Sequence, residues 1–361
     1  MLLQNTWSLS VVSFSQAFSS SSFSEMSLVP IPVFLDHDGG HDDLVALALL
    51  LGNADKVKVV GCTVTDADCF KEHAFNVTGK LMTLMHMEEG VELFPIGVTS
   101  FSGVNPFPSE WRWSAKNMED LPCVNIPKHD AMWSTLKEQY RNCVGEELLA
   151  NTVMQSEKKV TICVTGPLSS VAWCIDKYGE QFTNNVEACV IMGGAVDVKG
   201  NVFEEGRDGS AEWNIYWDPP AAETVFSCPS LKKVVFSLDS TNSVPVISSV
   251  VRRFGAQNDY LLSQFVGSAW ASCTHYEVMR PDDCYYAWDV LTAAYVVDPQ
   301  LAVLDPVDLR VVVTKSAQEG RSQRIDGHGN NLLLVRSIDR DGFYELVYAS
   351  MKKALCSECS I

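Results

Sequence analysis

The segment VFLDHDGGHDDLVALALLL, residues 33–51, places a short acidic turn between two apolar runs. The run at residues 33–35 predicts a buried strand, and the run at residues 44–51 predicts a helix. A strand, a turn and a helix in this order form the unit from which an α/β fold is built.

The composition of the turn indicates where its side chains point. Asp36 and Asp38 lie on the same side of the strand end, because side chains alternate along a strand. Gly39 and Gly40 permit a sharp turn, and Asp42 then stands where a helix N-cap is expected.

Four aspartates fall within the eight residues 36–43. Carboxylates this close repel one another, so some would stay protonated unless a positive charge lay among them. A hard divalent cation with oxygen ligands is the simplest solution. The alternative is one capping aspartate with solvated neighbours, which suits a lone pair of acids better than four acids on a glycine turn.

The chain has 361 residues, 47% hydrophobic and 20% charged, as expected of a globular protein with a sizeable core. Its net charge of −18 argues against a nucleic-acid partner, because no basic stripe is present to neutralise phosphates. Twelve cysteines with one CxxC, at residues 356–359, predict reduced thiols and a cytoplasmic location rather than a zinc site or a disulfide framework.

Residues 1–28 predict a disordered extension, and residues 29–361 predict one folded domain. No charge occurs before Glu25, and serines interrupt the apolar stretch, so neither a secretory signal nor a transit peptide is indicated. No later run reaches the roughly 18 apolar residues of a membrane span.

Strands and helices alternate along the rest of the chain. The predicted strands after the first are Val57–Thr65, Val91–Val98, Val160–Thr165, Ala188–Met192 and Lys233–Leu238. The predicted helices are Phe70–His86, Met132–Met154, Leu168–Tyr178, Asp218–Phe226, Val244–Val266 and Gly342–Leu355. This pattern predicts a single α/β domain with a mostly parallel central sheet flanked by helices. Ligands of such sheets bind at the carboxyl ends of the strands.

Polar groups follow two of the predicted strands. Asp66 and Asp68 come after the second strand, and on their own they are as consistent with a surface loop as with a site. The Gly166-Pro167 turn leaves the carbonyl of Thr165 without a helical partner, and therefore available to a cation.

Three further features of the sequence have a structural and a functional interpretation. Glu212 and Asn214 are two residues apart, so an extended stretch would present both side chains to one face. A carboxylate beside an amide suits a polyol such as a sugar. Trp111 lies in a loop rich in proline and serine, where it either packs in the core or stacks on a flat ligand. Asp289 starts an apolar helix, and as an isolated residue it would be an N-cap.

The acidic turn also carries a resemblance to a known family. Residues 36–43 match the DxDxxxDD signature of the nucleoside hydrolases, which split nucleosides into ribose and free base. Further motifs follow in that family's order: Met192-Gly193-Gly194-Ala195, Gly200-Asn201, Glu212-Trp213-Asn214-Ile215-Tyr216 and Trp288-Asp289. The sequence resembles the family from Val33 to Ser350.

Within this family, Asp68, Trp111 and Trp288 resemble the purine-specific branch, which acts on inosine, adenosine and guanosine. The inosine–uridine branch has an asparagine in place of Asp68 and a histidine in place of Trp288. Purine-specific relatives often carry an asparagine where this sequence has Gly40, so one substrate contact is expected to be missing.

The resemblance implies a calcium ion bound by Asp38, Asp43, the carbonyl of Thr165 and Asp289. Two ribose hydroxyls and a water would complete its coordination, and Asp38 would be the general base for that water. Asp36 would orient the ligands from behind them.

The resemblance also implies the contacts with the substrate. The residues implied to hold the ribose are Asp42, Met192, Asn201, Glu212 and Asn214. Asp68 would lie beside the base, and Trp111 and Trp288 would sandwich it. We expect this stacking to make the purine more basic, so that solvent supplies the proton for the departing base. The alternative donor is His275, in a predicted lid over residues 271–286.

As a whole, the resemblance implies a Rossmann-like nucleoside hydrolase fold over residues 29–361, purine salvage, purine nucleosides as the binding partners, and a homodimer.

Three alternatives to a nucleoside hydrolase remain. A haloacid-dehalogenase-type phosphatase also begins with DxD, but it needs a lysine closely upstream of its later acid pair. The nearest lysine upstream of Asp282 and Asp283 is Lys233. A non-catalytic calcium-binding module is the second alternative, but the spacing of the acids from Asp36 is not that of an EF-hand. A phosphorylase is the third, but no glycine-rich phosphate cradle is evident in the sequence.

Overall fold

The computed structural model describes residues 29–273, 284–327 and 329–356. The predicted N-terminal extension and most of the predicted lid, including His275, lie outside the described residues. No helix within the described ranges is long and apolar enough to cross a membrane.

A central sheet of eight strands organises the described chain, in the order β3-β2-β1-β4-β5-β6-β10-β7. Its pairings are parallel except for that of β10 with β7. A separate antiparallel pair joins β8 and β9. The strands are β1 Ile31–His37, β2 Val57–Val64, β3 Ile96–Val98, β4 Val160–Val164, β5 Val186–Met192, β6 Lys233–Phe236, β7 Ala302–Pro306, β8 Asp308–Val311, β9 Ser322–Ile325 and β10 Leu332–Ile338.

Helices cover both faces of this sheet. They are α1 His41–Gly52, α2 Lys71–Glu89, α3 Ser114–Glu119, α4 Pro127–Tyr140, α5 Gly145–Gln155, α6 Ser169–Tyr178, α7 Glu180–Thr183, α8 Trp213–Trp217, α9 Pro219–Phe226, α10 Leu238–Thr241, α11 Ser248–Gly255, α12 Leu261–Cys273, α13 Trp288–Val297 and α14 Arg340–Ser350. Short 3₁₀ helices lie at Pro122–Val124 and Pro299–Leu301.

Two hydrophobic cores lie on opposite faces of the sheet. Along β1, Val33 and Leu35 belong to the larger core, which contains α1, α2 and α13. Phe34 points the other way, into the core formed with α5, α6 and α9. Both faces of β1 are therefore buried, which explains why its apolar residues form an unbroken run. The predicted α/β domain with a mostly parallel sheet is confirmed.

The predicted strand Val91–Val98 is too long. Only Ile96–Val98 pairs with β2, because Pro95 has no N–H group to donate to the sheet. Its carbonyl still accepts a hydrogen bond from the N–H of Cys62, at 3.0 Å.

Two predicted helices are each divided into two. The predicted Met132–Met154 is interrupted before α5, where Val144 is extended and forms a bridge with Val98. The predicted Val244–Val266 is interrupted between α11 and α12, where Tyr260 forms a bridge with Leu355. In both places, pairing with a distant segment replaces continuation of the helix.

The carboxyl-terminal region completes the central sheet. β10 lies parallel to β6 inside the main sheet, and β7 forms its antiparallel edge. The final helix is Arg340–Ser350 rather than Gly342–Leu355, and Asp339 caps it by accepting the N–H of Gly342.

Candidate active site

The sheet order brings the carboxyl ends of β2, β1, β4 and β5 side by side. The first three ends are followed by Asp68, Asp38 and Thr165, and β5 ends at Met192. All of these side chains except that of Asp68 are buried. The predicted strand-end residues therefore lie at one edge of the sheet.

Three aspartates form an acidic cluster at the starts of two helices. Asp42 and Asp43 lie in the first turn of α1, and Asp289 lies in the first turn of α13. One carboxylate oxygen from each lies within 4.8 Å of the others. Both helices thus direct the positive ends of their dipoles at these carboxylates.

The prediction that Asp42 is the N-cap of α1 is wrong. The N-cap is Gly40, and its N–H donates to Oδ2 of Asp43 at 2.7 Å. The N-cap therefore lies two residues before the predicted one, the helix starts at His41, and Asp42 projects from its first turn. There Oδ2 of Asp42 accepts the N–H of Asp289 at 3.3 Å.

Asp289 is likewise not an N-cap, because that position in α13 is occupied by Ala287. Its side chain is buried in the acidic cluster instead. The interpretation of Asp289 as an isolated capping residue is therefore wrong, since it meets acids from α1 that are distant in sequence.

Asp38 lies between the acidic cluster and the end of β2. Its Oδ2 accepts the backbone N–H of Asp68 at 3.0 Å. Gly40 leaves room for the Asp68 carboxylate, because a Cβ at residue 40 would lie 2.6 Å from Oδ2 of Asp68. The space that a side chain at residue 40 would need is occupied by Asp68.

Asp36 lies behind the acidic cluster and links neighbouring elements. Its Oδ1 accepts hydrogen bonds from Thr63 of β2, at 2.6 Å, and from Ser170 of α6, at 3.4 Å. Its backbone carbonyl accepts the N–H of Thr165 at 2.8 Å. Asp36 therefore fixes the ends of β1, β2 and β4 relative to one another.

Thr165 contacts the acidic cluster through its side chain. Its hydroxyl donates to Oδ1 of Asp43 at 2.5 Å. The sequence predicts a free carbonyl oxygen at Thr165, but this oxygen accepts a hydrogen bond from Nδ2 of Asn214 at 2.7 Å. A carbonyl has two lone pairs, so this bond leaves one for a cation.

The acids of this site have raised pKa values. Burial raises the pKa of Asp36 from 3.8 to about 7. Burial and neighbouring carboxylates raise the pKa of Asp38 and Asp289 well above the ordinary value, and that of Asp43 is also raised. A divalent cation among these oxygens would oppose both effects, and an all-oxygen donor set suits a hard cation.

Glu212 and Asn214 lie together for a reason other than the predicted one. They are not on one face of an extended stretch, because Glu212 is the N-cap of α8 and Asn214 lies within that helix. Oε1 of Glu212 accepts the N–H of Asn214 at 2.9 Å, and Oε2 accepts the N–H groups of Gly194 and Ile215 at 2.9 and 3.2 Å.

Asn214 connects α8 to the strand ends. Besides Thr165, its Nδ2 contacts the carbonyl oxygen and the sulfur of Met192, each at 3.3 Å. Asn201 lies at the start of α8, where its Oδ1 accepts the N–H of Trp213 at 3.1 Å. The five residues expected to hold a ribose therefore lie on elements that meet at this edge of the sheet.

The two predicted stacking residues lie on different elements. Trp111, in the loop after β3, is 51% exposed and makes an edge contact with Trp213 at 5.5 Å between ring centroids. Trp288 starts α13, packs on the small cluster that contains Met192, and donates from Nε1 to Asn242 at 3.0 Å.

Tyr285 is a site residue that the sequence analysis missed. Its hydroxyl donates to Oδ1 of Asp42 at 2.6 Å, and its ring lies edge-on to Trp288 at 4.8 Å. The only signal in the sequence is that Tyr285 precedes Asp289 by four residues, which identifies no partner without the position of α1.

The sequence and the fold are similar to those of known proteins. The family profile described as "Inosine-uridine preferring nucleoside hydrolase" matches residues 33–345. The pyrimidine-specific ribonucleoside hydrolase RihA of Shewanella sp. (strain MR-4) is 26% identical over 332 residues, covering 89% of this chain and 96% of RihA.

Two solved structures extend the comparison. The crystal structure of an inosine-uridine preferring nucleoside hydrolase from Bacillus anthracis has a TM-score of 0.76 and 30% identity, covering 89% of this chain and 99% of that one. A purine-preferring ribonucleoside hydrolase from Gardnerella vaginalis has a TM-score of 0.67 at 19% identity, covering 89% and 98%, and shows likeness of fold alone. Together these matches favour the nucleoside hydrolase hypothesis over its three alternatives.

Proposed function

The chain belongs to the inosine-uridine preferring nucleoside hydrolase family, and on that premise we propose that it hydrolyses the N-glycosidic bond of purine nucleosides to ribose and free base. The observation that carries the proposal is the buried cluster of Asp42, Asp43 and Asp289 at the edge of the sheet where Asp38 and Thr165 also lie. Such a cluster of carboxylate oxygens suits a hard divalent cation.

The choice of purine over pyrimidine rests on the residues around the base. Asp68, Trp111 and Trp288 are the residues typical of the purine-specific branch, and half of the Trp111 side chain is exposed and available for stacking. A purine offers a larger π-surface than a pyrimidine, so two indoles would favour it. RihA is named pyrimidine-specific and the Bacillus anthracis relative is named inosine-uridine preferring, so the preference has to be measured.

We assign the metal as calcium, bound by Asp38, Asp43, Asp289 and the carbonyl of Thr165. These are oxygen donors, and the raised pKa values of the buried carboxyl groups fit a site that is completed by a positive charge. When bound, the cation would supply Lewis acidity that makes a nearby water easier to deprotonate.

The reaction transfers one proton from water to the protein and one electron pair from the ribose to the departing base. Asp38 takes the proton of the attacking water, whose oxygen forms the new bond to the anomeric carbon of the ribose. The carbon–nitrogen bond breaks and its electron pair leaves with the base. The carboxylates of the site stabilise the positive charge that develops on the ribose ring.

The ribose hydroxyls would be held by Asp42, Asn201, Glu212 and Asn214, with Met192 beside the ring. Glu212 is already oriented by three backbone N–H groups, and Asn214 is fixed between Thr165 and Met192. Such preorganised polar groups bind a sugar without reordering.

The departing base needs a proton. We assign it to solvent, with Trp111 and Trp288 stacking on the base and raising its basicity, rather than to a histidine. Asp36 would act by orienting the ligands, since its carboxylate accepts hydrogen bonds from Thr63 and Ser170 and its backbone carbonyl accepts the N–H of Thr165 at 2.8 Å. A homodimer, a cytoplasmic location and a role in purine salvage complete the proposal.

A nucleoside panel tests the substrate class. Inosine, adenosine, guanosine, uridine and cytidine are incubated in phosphate-free buffer, and reducing sugar and free base are measured separately. We expect equal amounts of both products from purine nucleosides and a kcat/KM for inosine at least about tenfold above that for uridine. A preference for uridine would assign the chain to the pyrimidine-acting relatives and contradict the proposal.

A further inference from the structure

The loop that carries Trp111 is attached to the turn that carries Asp68. The loop follows β3 and the turn follows β2, so the two segments are distant in sequence but adjacent at the edge of the sheet. The attachment is made by Arg112, the residue next to Trp111.

Arg112 makes three kinds of contact with the turn. Its Nη2 donates to the carboxylate of Asp66 and, at 3.4 Å, to the carbonyl oxygen of Cys69. Its guanidinium carbon lies 4.5 Å from the centroid of the Phe70 ring. Its own backbone carbonyl accepts the N–H of Phe70 at 3.1 Å. Arg112 therefore contacts residues on both sides of Asp68 in the sequence.

Neighbouring contacts strengthen the same attachment. The Trp113 ring packs on Phe70 with 4.7 Å between ring centroids. The Sγ of Cys69 lies 3.2 Å from the hydroxyl oxygen of Ser114. The turn residues 66–70 and the loop residues 111–114 consequently pack as one unit.

The ion pair differs from an ordinary surface pair. Only 16% of the Arg112 side chain and 31% of the Asp66 side chain are exposed, whereas isolated exposed pairs are weak and screened by salt. Arginine combines a planar fork of donors with stacking on an aromatic ring, which lysine cannot reproduce. The contacts thus fix an orientation as well as neutralise a charge.

We propose that Arg112 is a positioning residue that fixes Trp111 relative to Asp68 and thereby sets how tightly the base is held. This inference rests on the proposed roles of Trp111 and Asp68 at the base. Arg112 contacts neither the acidic cluster nor Asp38 in the described structure, so its effect reaches the substrate through the two segments that it joins, chiefly through Trp111.

The test compares Arg112→Ala, Arg112→Lys, Trp111→Ala and the double variant Trp111→Ala/Arg112→Ala. The matched control is Lys116→Ala, which breaks the exposed ion pair with Asp120 on the adjacent helix α3. For each protein, kcat and KM are measured with inosine, and the melting temperature is measured to verify folding.

We expect Arg112→Ala to raise the KM for inosine about tenfold, the effect of losing a hydrogen bond to a charged group, with a smaller change in kcat. Arg112→Lys should restore part of the loss, and Lys116→Ala should resemble the wild type. In the Trp111→Ala background, removal of Arg112 should have little further effect, because the two changes disable one contact.

Each contrary outcome has a distinct meaning. If Trp111→Ala raises KM and Arg112→Ala does not, the inference is overturned and the proposed function stands. If the effects of the two changes multiply, Arg112 does not act through Trp111 and the inference is also overturned. If Trp111→Ala is without effect while inosine is still hydrolysed, both the stacking role and the inference fail, and hydrolysis itself remains. If the wild type does not hydrolyse inosine, the proposed function fails and the inference fails with it.

Discussion

The hydroxyl of Tyr285 donates a 2.6 Å hydrogen bond to Oδ1 of Asp42, whose other oxygen accepts the N–H of Asp289. Asp42 is thereby held by Tyr285, which precedes α13, and by Asp289 in the first turn of that helix. The acidic cluster is assembled from the starts of α1 and α13, and Tyr285 connects the two.

Tyr285→Phe removes this bond and keeps the ring. We expect kcat/KM for inosine to fall about 10- to 150-fold, because a hydrogen bond to a charged group contributes roughly 1.5–3 kcal/mol. Steady-state kinetics measure the effect. Tyr348→Phe is the control, since it removes a hydroxyl that donates to Val250 in the main core. An equal loss of kcat/KM in both variants would show that Tyr285 has no specific role at the site.

The sequence predicted the fold and the region of the site because both follow from local patterns. Apolar runs such as residues 33–35 and 44–51 predict elements, and Asp38, Thr165 and Asp68 follow strands whose ends meet in a parallel sheet. The four-aspartate turn predicts a metal at this same edge of the sheet.

The features that the sequence did not predict depend on contacts between distant segments. The partners of Tyr285 and Arg112 are set by the packing of α13 and of the loop after β3. Helix breaks before α5 and α12 arise where Val144 and Tyr260 pair with other segments. Local propensity contains no information on such partners.

Asp38→Asn tests the general base. An amide keeps the shape and an oxygen ligand but cannot accept the proton of water, so kcat should fall by about 10²–10⁴-fold, toward the upper end because metal affinity falls too. The rate is measured at saturating inosine and calcium. Activity near that of the wild type would assign the base to another residue.

The pH dependence of stability tests the buried carboxyl groups. Without metal, burial raises the pKa of Asp36 from 3.8 to about 7 and raises that of Asp38 and Asp289 as well. Between the unfolded pKa of 3.8 and the folded pKa of about 7, the folded state of Asp36 holds its proton more tightly than the unfolded state. The stability that such a group contributes is therefore complete below pH 3.8 and is lost as the pH rises through about 7.

We therefore expect the melting temperature in chelator to fall as the pH rises from about 5 to about 8. Metal binding requires the ionised carboxylates, so calcium should restore more stability at the higher pH. Thermal unfolding of paired samples, with calcium and with chelator, gives the difference directly. A calcium effect that shrinks as the pH rises would contradict the assignment of these acids to a metal site.

Trp288→Ala tests the route by which the base leaves. If stacking makes the purine more basic, the loss of kcat should be far larger for inosine than for a nitrophenyl riboside, whose leaving group needs no proton. His275→Ala should have a smaller effect than the tryptophan change. Equal losses on both substrates would reduce Trp288 to a packing residue, and a collapse of activity in His275→Ala alone would return the acid role to histidine.

Metal-dependent hydrolysis of a purine nucleoside is tested most directly by the release of reducing sugar from inosine in phosphate-free buffer, with chelator and after calcium is added back. We expect activity to vanish with chelator and to return with calcium, and both Asp43→Ala and Asp289→Ala to lose the metal and nearly all activity. The control variant Asp120→Ala, which lacks only an exposed ion pair, should behave as the wild type. Full activity in protein shown to be free of metal, or turnover only when phosphate is added, would contradict metal-dependent hydrolysis.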